Sequence, residues 1–278
     1  MNKVVELFGI HTEKPDTQWD KIIEAQVCPY SNKQCYKVRK SQPDISIGTC
    51  TVRYGQADKP IIICPNRLLQ NRKVFMDCIH LLHLHQPGND IHVISELSIP
   101  GGSVDYVLAS VKNGKVLDFA GLEFQTLDTT GTVWPERQKF LSSCGIAIQK
   151  TVETKMYGMN WKMTAKTILV QLHHKLSTFE NLQKHLVLII QDDFLEYMGK
   201  EFNLKVLNKP AVLGDSLQFH SYSISGERDL SLQLKSRTST NSVGIAECLG
   251  LNAEKNVELE TILKTIERKL SDLTLLKI

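Results

Sequence analysis

Hydrophobic residues recur with helical spacing in three parts of the chain. Over residues 66–85 and 160–178, apolar side chains return every three to four positions, which predicts two amphipathic helices. Pro, Gly, Asn and Asp at 86–90 favour a turn that ends the first of these helices. A third apolar stripe over residues 253–275 predicts a last helix near the end of the chain.

Patterns typical of strands lie between these helices. Residues 103–111 and 115–126 are rich in apolar residues, and an Asn-Gly pair at 113–114 separates them. Because Asn-Gly is a strong signal for a tight hairpin, we expect these two strands to pair in antiparallel orientation. Residues 184–191 form a continuous apolar run, as expected of a strand that is buried on both faces. Further strands are predicted over residues 91–99, 217–225 and 229–238.

The order of these elements predicts an α/β fold. A helix, a three-stranded meander, a second helix and a buried strand indicate a mixed β-sheet core that is flanked by helices. The first 65 residues are irregular in pattern, with Cys, Pro and Gly among short β-branched runs. We therefore expect residues 1–65 to form a small N-terminal module and residues 66–278 to form the main domain.

Composition narrows the class of protein. A chain of 278 residues with 42% hydrophobic and 23% charged residues is typical of a folded soluble protein. The net charge of +3 is weak evidence for a polyanionic partner, but residues 33–40 carry basic side chains and no acidic one. Such a run is either a solvated face or a set of phosphate contacts.

The termini and the cysteines bear on the compartment. The N-terminus lacks the apolar segment of a secretory signal, and no apolar run is long enough to span a membrane. We therefore expect a cytoplasmic protein, in which the seven cysteines are reduced thiols or metal ligands and not disulfides.

Two carboxylates lie in the otherwise apolar strands of the predicted hairpin. Asp105 is on the first strand and Glu123 on the second, and a tight turn would bring them within about two residue steps, roughly 7 Å. Carboxylates directed at one point repel each other unless a cation neutralises them, and Mg²⁺ is the natural candidate because it prefers oxygen ligands. The alternative is that both are polar residues on a solvent-facing surface.

Three further polar residues accompany this pair. Gln125 is two positions after Glu123 on the same strand, so both side chains point to the same face. The amide of Gln125 can orient a water molecule or contact a phosphate oxygen, but it is no general base. Glu96, on the preceding strand, either faces the same site or is a surface residue, and Asp128 is a weaker candidate in the loop after the hairpin.

The N-terminal region contains a set of cysteines with the spacing C-x6-C-x14-C-x13-C, namely Cys28, Cys35, Cys50 and Cys64. Four thiolates can complete a tetrahedral site for zinc or for a single iron ion, which would stabilise a segment too small to have its own core. The alternative is that these are ordinary buried thiols.

Taken together, the two sets of residues resemble a known family. The segments "CPYSNKQCYKVRKS", "ICPNRLL", "GGSVDYVL" and "GLEFQTLDTTG" are similar to the NotI family of type II restriction endonucleases, from about residue 25 to at least residue 250. The resemblance implies a restriction-endonuclease-like core of the PD-(D/E)xK type, with Gln in place of the usual Lys. It also implies a homodimeric bacterial enzyme of a restriction-modification system that cuts double-stranded DNA.

The resemblance assigns roles to particular residues. Asp105 and Glu123 become catalytic ligands of Mg²⁺, with Glu96 as a further candidate, and Gln125 takes the place of the lysine. The four cysteines become the ligands of an iron site, with zinc as the alternative. The basic residues beside them become DNA contacts, namely Lys33, Lys37, Arg39 and Lys40. Two other functions stay open: a non-catalytic DNA-binding protein with a structural metal, and a repair or recombination nuclease with the same core.

Overall fold

The computed structural model describes residues 2–147, 157–251, 263–264 and 266–268. Its strands are β1 (Val4–Leu7), β2 (Ile10–His11), β3 (Val27–Cys28), β4 (Lys33–Gln34), β5 (Val38–Arg39), β6 (Gln42–Ser46), β7 (Thr49–Tyr54), β8 (Lys59–Ile62), β9 (Asp90–Ile99), β10 (Gly102–Lys112), β11 (Lys115–Gln125), β12 (Thr129–Thr130), β13 (Gly158–Met159), β14 (His185–Gln191), β15 (Leu217–Ser225) and β16 (Ser231–Thr240). Its α-helices are α1 (Trp19–Ala25), α2 (Lys73–Met76), α3 (Trp134–Ser143), α4 (Trp161–Asn181), α5 (Asp192–Glu201) and α6 (Ser242–Cys248). Short 3₁₀ helices span Pro65–Arg72, Ile79–Leu81 and Leu204–Val206.

A six-stranded mixed sheet forms the centre of the molecule, in the order β16-β15-β14-β11-β10-β9. Strands β9, β10 and β11 are antiparallel, β14 and β15 run parallel to β11, and β16 is antiparallel to β15. Helix α4 packs on one face, where Leu172 shares a hydrophobic cluster with Leu188 of β14. On the other face, Leu68 and Phe75 pack with Leu122 of β11. The predicted α/β class is confirmed: the fold is a large mixed sheet that is flanked by helices.

The predicted hairpin is confirmed, and its register is tighter than the sequence suggested. Lys112 pairs with Lys115 across the Asn-Gly turn, and a register shift follows beyond Ser110. Past this irregularity Tyr106 pairs with Leu122, so the next positions along the two strands, Asp105 and Glu123, lie across from each other. A β-bulge inserts one extra residue into one strand, and here it removes the offset expected from counting outward from the turn.

The single helix predicted over residues 66–85 is wrong. The chain forms a 3₁₀ turn, the short α2 and a second 3₁₀ turn, because Gln70 is extended (ψ 123°) and Asn71 is left-handed (φ 53°). The side chain of Gln70 explains the break, since its carbonyl oxygen accepts a hydrogen bond of 2.9 Å from the backbone amide of Leu232 in β16. The apolar side chains at three-to-four spacing are still buried, but they lie on a segment that is tied to the sheet edge.

The N-terminal region is more regular than its sequence pattern indicated. Strands β2, β1, β7 and β8 form a four-stranded sheet in this order. Val52 and Ile61 of this sheet belong to the same hydrophobic cluster as residues of α4. A buried ion pair adds a polar link, since Arg67 Nε lies 2.7 Å from Glu6 Oε2 and both side chains are almost fully buried. The first 65 residues thus share a core with the rest, and the boundary after residue 65 stays a prediction.

Four further predicted elements are present in the structure. The helix over 160–178 is α4, the continuous apolar run is the fully buried β14, and the strands over 217–225 and 229–238 are β15 and β16. The helix predicted over 253–275 lies mostly outside the described residues. Across the described residues, no helix is both long enough and apolar enough to cross a membrane.

Candidate active site

The two carboxylates lie on the face of the sheet that α4 covers. On β11, Leu122 and Phe124 point into the hydrophobic cluster on the opposite face. Because successive side chains of a strand alternate between faces, Glu123 and Gln125 are directed toward α4. The hairpin thus places Asp105 and Glu123 opposite each other beneath this helix, and the burial of each carboxylate decides what it can do.

Asp105 is held in place by the backbone of the neighbouring strand. One of its carboxyl oxygens, Oδ2, accepts a hydrogen bond of 2.7 Å from the amide of Phe124. The residue as a whole is exposed, yet desolvation of the carboxyl group raises the pKa of Asp105. The Phe124 amide and Lys175 lower the pKa, while the charge of Glu96 raises it further. Desolvation together with a neighbouring negative charge disfavours an unpaired anion here.

Glu123 is buried, with 5% of its surface exposed, and it forms an ion pair with a helix residue. Its Oε1 accepts a hydrogen bond of 2.7 Å from Lys175 Nζ of α4. Desolvation raises the pKa of Glu123 to about 7, Lys175 opposes this shift, and the charge of Asp105 adds to it. Lys175 therefore does not fully compensate the desolvation of Glu123, and a further cation would favour its charged form.

The sequence analysis missed Lys175. The residue is 7% exposed and lies on the apolar face of α4 among Leu172, Leu176 and Phe179, all of which are buried. A lysine inside an amphipathic stripe is a sequence signal, because a buried ammonium group needs a partner of opposite charge. The partner could not be identified from the sequence because Glu123 is 52 residues away in the chain.

The other two predicted site residues lie close to the pair without joining it by hydrogen bonds. The amide of Gln125 donates a hydrogen bond of 2.6 Å to the carbonyl of Thr126. Glu96 is exposed on the edge strand β9, between two residues that pair with Val104 and Tyr106, so it lies across from Asp105. Its backbone is left-handed, with φ of 55°, which is uncommon for a residue other than glycine. Asp128 lies in the loop after β11, as predicted.

The arrangement of Asp105 and Glu123 can be compared with the ligands that a Mg²⁺ ion requires. Within the parts of the chain that the structure describes, no three His, Cys, Asp or Glu side chains form a group that could hold a metal ion on their own. Mg²⁺ does not require such a cage, since it is usually held by one or two carboxylates together with water and substrate phosphate. Asp105 and Glu123 each use one oxygen in the contacts above, so a second oxygen of each is available to the ion.

The four cysteines of the N-terminal region are all free thiols and all buried. The Cys50 thiol lowers the pKa of the Cys64 thiol to about 6 by hydrogen bonding, against desolvation, and the charge of Lys37 and two backbone amides add to this effect. Desolvation raises the pKa of Cys35, with smaller contributions from Cys64 and Cys28. A thiol with a lowered pKa among N–H donors and a lysine is the environment of a metal-binding or reactive cysteine.

The basic residues beside the cysteines differ in whether their side chains are exposed to solvent or bound to other parts of the protein. Lys33 and Lys40 are exposed. Lys37 donates a hydrogen bond to the carbonyl of Ile63, and the guanidinium of Arg39 lies over the ring of Trp134 at 4.8 Å from its centroid. Lys33 and Lys40 are thus free to meet a phosphate, whereas Lys37 and Arg39 also support the local fold.

The fold and the positions of the two carboxylates define a class of protein fold. A helix-flanked mixed sheet with two carboxylates facing each other across its hairpin is compatible with a restriction-endonuclease-like fold. The family model described as "Restriction endonuclease NotI" matches residues 20–212, which is more than half of the chain. The chain belongs to the NotI restriction endonuclease family. No curated protein and no solved structure matches it.

Family membership has direct consequences for function. It implies a restriction endonuclease, and therefore a hydrolase that acts on DNA and binds it. The matched residues include the four cysteines of the N-terminal region and the carboxylates Asp105 and Glu123.

Proposed function

We propose that the protein is a Mg²⁺-dependent type II restriction endonuclease that hydrolyses double-stranded DNA at a specific sequence. The observation that carries this proposal is the facing of Asp105 and Glu123 across the hairpin, in a chain of the NotI family. Two desolvated carboxylates with raised pKa values at one place are costly to the fold unless a cation binds between them.

Each residue of the site has a distinct task in this reaction. When bound, Mg²⁺ supplies an acidified water and screens the charge that develops on the phosphate. Asp105, oriented by the amide of Phe124, and Glu123, oriented by Lys175, hold the ion. The amide of Gln125 orients a water or contacts a phosphate oxygen, since it is not basic enough to accept a proton. Glu96 extends the negative surface from β9.

The proposal extends to the four cysteines, which are all buried, and the Cys50 thiol hydrogen-bonds to Cys64 and lowers the pKa of the Cys64 thiol to about 6. In the described residues the four side chains are not gathered into a metal-binding group, so a bound ion would have to draw them together. In this proposal Cys28, Cys35, Cys50 and Cys64 hold an iron ion, or zinc, that stabilises the N-terminal loops. Metal analysis of purified protein tests this, and ferric iron with thiolates would give a red colour. A Cys64→Ser variant that bound as much metal as the wild type would exclude the site.

The N-terminal module is also proposed to contact DNA. Lys33 and Lys40 are exposed beside the cysteine cluster and can neutralise phosphates, with Lys37 and Arg39 shaping the same loops. Two copies related by a twofold axis would present one active site to each strand of a palindromic sequence, so we propose a homodimer. Sedimentation of the free protein and of its DNA complex measures the number of copies.

A digest tests the proposed function. Purified protein is incubated with long unmethylated DNA, with and without Mg²⁺, and the ends of the products are sequenced. Discrete fragments with one shared end sequence, formed only with Mg²⁺, are the expected result. A gel shift without cleavage would indicate a non-catalytic DNA-binding protein, and Mg²⁺-dependent products with random ends would indicate a repair or recombination nuclease. Either of these outcomes contradicts the proposal.

A further inference from the structure

Strand β11 carries an amide, that of Gln125, where the PD-(D/E)xK pattern that the sequence resembles has a lysine, and the structure brings a lysine to Glu123 from a different element. Gln125 turns its amide toward the carbonyl of Thr126. The ammonium group of Lys175 lies 2.7 Å from Glu123 Oε1. A positive charge therefore contacts the carboxylate of Glu123, but it comes from α4.

Three glycines fix the position of α4 above the site. A Cβ atom at Gly101 would lie 2.4 Å from the carbonyl oxygen of His174, and one at Gly102 would lie 3.2 Å from Cε of Lys175. A Cβ atom at Gly121, two residues before Glu123, would lie 2.4 Å from the ring of Phe179. A side chain at Gly101 or Gly121 would displace the helix, and one at Gly102 would displace the side chain of Lys175. The three glycines therefore let Lys175 reach Glu123.

Packing gives no reason for a lysine at this position. The neighbours of Lys175 on the helix face, Leu172 and Leu176, are fully buried. A buried ion pair is commonly no more stabilising than apolar side chains of the same size, because both charges lose their hydration. An apolar residue would continue the stripe of α4 at lower cost, which indicates that the charge of Lys175 has a function.

We propose that Lys175 is a positioning residue that supplies the positive charge missing at Gln125. Its ammonium group holds Oε1 of Glu123, so that the other carboxyl oxygen is presented to the metal ion and the scissile phosphate. This inference rests on the proposed function, since it assigns Lys175 to Mg²⁺-dependent hydrolysis of DNA. It places the cation on the helix and not at Gln125, whose amide donates a hydrogen bond to the carbonyl of Thr126.

The test compares three proteins with the wild type. In two of them a single lysine is replaced by a neutral residue, and in the third the positive charge is moved from α4 to β11. Lys175→Met is expected to lower the cleavage rate about 100-fold, as removal of one fixed electrostatic group commonly does. The Mg²⁺ concentration for half-maximal rate is expected to rise about tenfold, because Glu123 loses its partner. Binding of the same DNA in Ca²⁺, measured by gel shift, is expected to stay within a few-fold of the wild type.

Lys184→Met is the matched control, because Lys184 forms a similar ion pair with Asp118, at 2.6 Å, near the other end of β11. It is expected to leave cleavage within a few-fold of the wild type. The double variant Gln125→Lys with Lys175→Met returns a lysine to the strand, and it is expected to recover at least about tenfold of the lost rate. A purely structural role of Lys175 would not give this recovery.

Each outcome is decisive. A folded Lys175→Met protein that cleaves like the wild type overturns the role of Lys175 and leaves the proposed function intact. If Lys175→Met does not fold, Lys175→Gln, which keeps a donor without the charge, takes its place with the same expected loss. Loss of cleavage that Gln125→Lys does not rescue also overturns the inference. A wild-type protein that cuts no DNA with Mg²⁺ overturns the proposed function, and this role for Lys175 with it.

Discussion

Strand β11 carries a buried carboxylate near each end, and both are paired with a lysine from outside the strand. Asp118 Oδ1 lies 2.6 Å from Lys184 Nζ, and Glu123 Oε1 lies 2.7 Å from Lys175 Nζ. The two pairs look alike, yet the pKa of Asp118 is lowered whereas that of Glu123 is raised to about 7. The number of donors around each carboxylate accounts for the difference.

Desolvation opposes the charge of both groups, but only Asp118 is fully compensated. It also accepts hydrogen bonds from the backbone amides of Leu84, at 2.8 Å, and Phe119, at 2.9 Å. Among the described residues, Glu123 receives a hydrogen bond from Lys175 alone, and it faces the negative charge of Asp105. A carboxylate with three donors serves the fold, and one that lacks them is suited to bind a cation.

The largest expected effect is on the rate of DNA cleavage, and it distinguishes Glu123 from Asp118 at the other end of β11. Glu123→Gln is expected to lower the rate of Mg²⁺-dependent cleavage at least about 100-fold, because the neutral amide is a poor ligand for the ion. Its free energy of unfolding is expected to fall by about 3–5 kcal/mol, because the substitution leaves the ammonium group of Lys175 buried without a counter-charge. Rates of DNA cleavage and urea unfolding curves of the same preparations measure both quantities.

Asp118→Asn is the matched change at the other end of the strand. It removes charged hydrogen bonds that are satisfied in the fold, so it is expected to lower the free energy of unfolding by about 1–3 kcal/mol. Cleavage by the folded variant is expected to stay within a few-fold of the wild type. The comparison fails if Asp118→Asn loses cleavage as Glu123→Gln does while both proteins remain folded.

The hairpin that joins these two carboxylates was predictable because its signal is local. Asn113 and Gly114 both have positive φ, as the tight turn requires, and the strands on either side follow the predicted bounds. The bulge beyond Ser110 was not predictable, and it decides that Asp105 faces Glu123. The carboxylates could be chosen from the sequence, but their spacing depends on a backbone irregularity that leaves no clear pattern.

Contacts between distant segments account for what the sequence did not reveal. The segment after residue 65 has helical periodicity, but the hydrogen bond between Gln70 and β16 breaks it, which is a tertiary contact overriding a local pattern. The role of Lys175 likewise depends on a contact with a distant segment, because a lysine in an apolar stripe indicates that a buried partner exists without identifying it. Local signals thus predicted the strands that carry the two carboxylates, whereas the ion pair between Lys175 and Glu123 required the structure.

The pH dependence of stability is expected to have opposite sign at the two ends of β11. The pKa of Glu123 is about 7 in the folded protein, above its ordinary value of 4.5, so between these pH values the folded protein keeps a proton that the unfolded chain has released. The free energy of unfolding therefore falls as the pH rises from 4.5 to 7, by up to about 3 kcal/mol from this group. The measurement is the difference between wild type and Glu123→Gln in Mg²⁺-free urea unfolding.

Asp118 provides the internal contrast for this experiment. Its lowered pKa gives stability that is present above the ordinary value of 3.8 and is lost as the pH falls through the folded value. Addition of Mg²⁺ is expected to flatten the slope that is due to Glu123, because the ion favours the charged carboxylate, and to leave the slope due to Asp118 unchanged. An equal effect of Mg²⁺ on both slopes would contradict a site-specific cation.

The smallest expected effect concerns the contact that brings α4 over one end of β11. Gly121→Ala places a methyl group 2.4 Å from the ring of Phe179, one helical turn beyond Lys175, and is expected to destabilise the protein by about 1–3 kcal/mol through overpacking. Because the helix must move, cleavage is expected to fall as well.

Gly199→Ala in α5 is the control. Its methyl group would meet only Leu204 Cδ1, at 3.9 Å, so the variant is expected to be more stable than the wild type by about 0.5–1 kcal/mol and to cleave DNA at the same rate. Thermal unfolding and cleavage rates of the two variants distinguish an effect on the position of Lys175 from an effect on the stability of the whole protein. A Gly121→Ala protein with wild-type cleavage would show that the site tolerates a displaced helix.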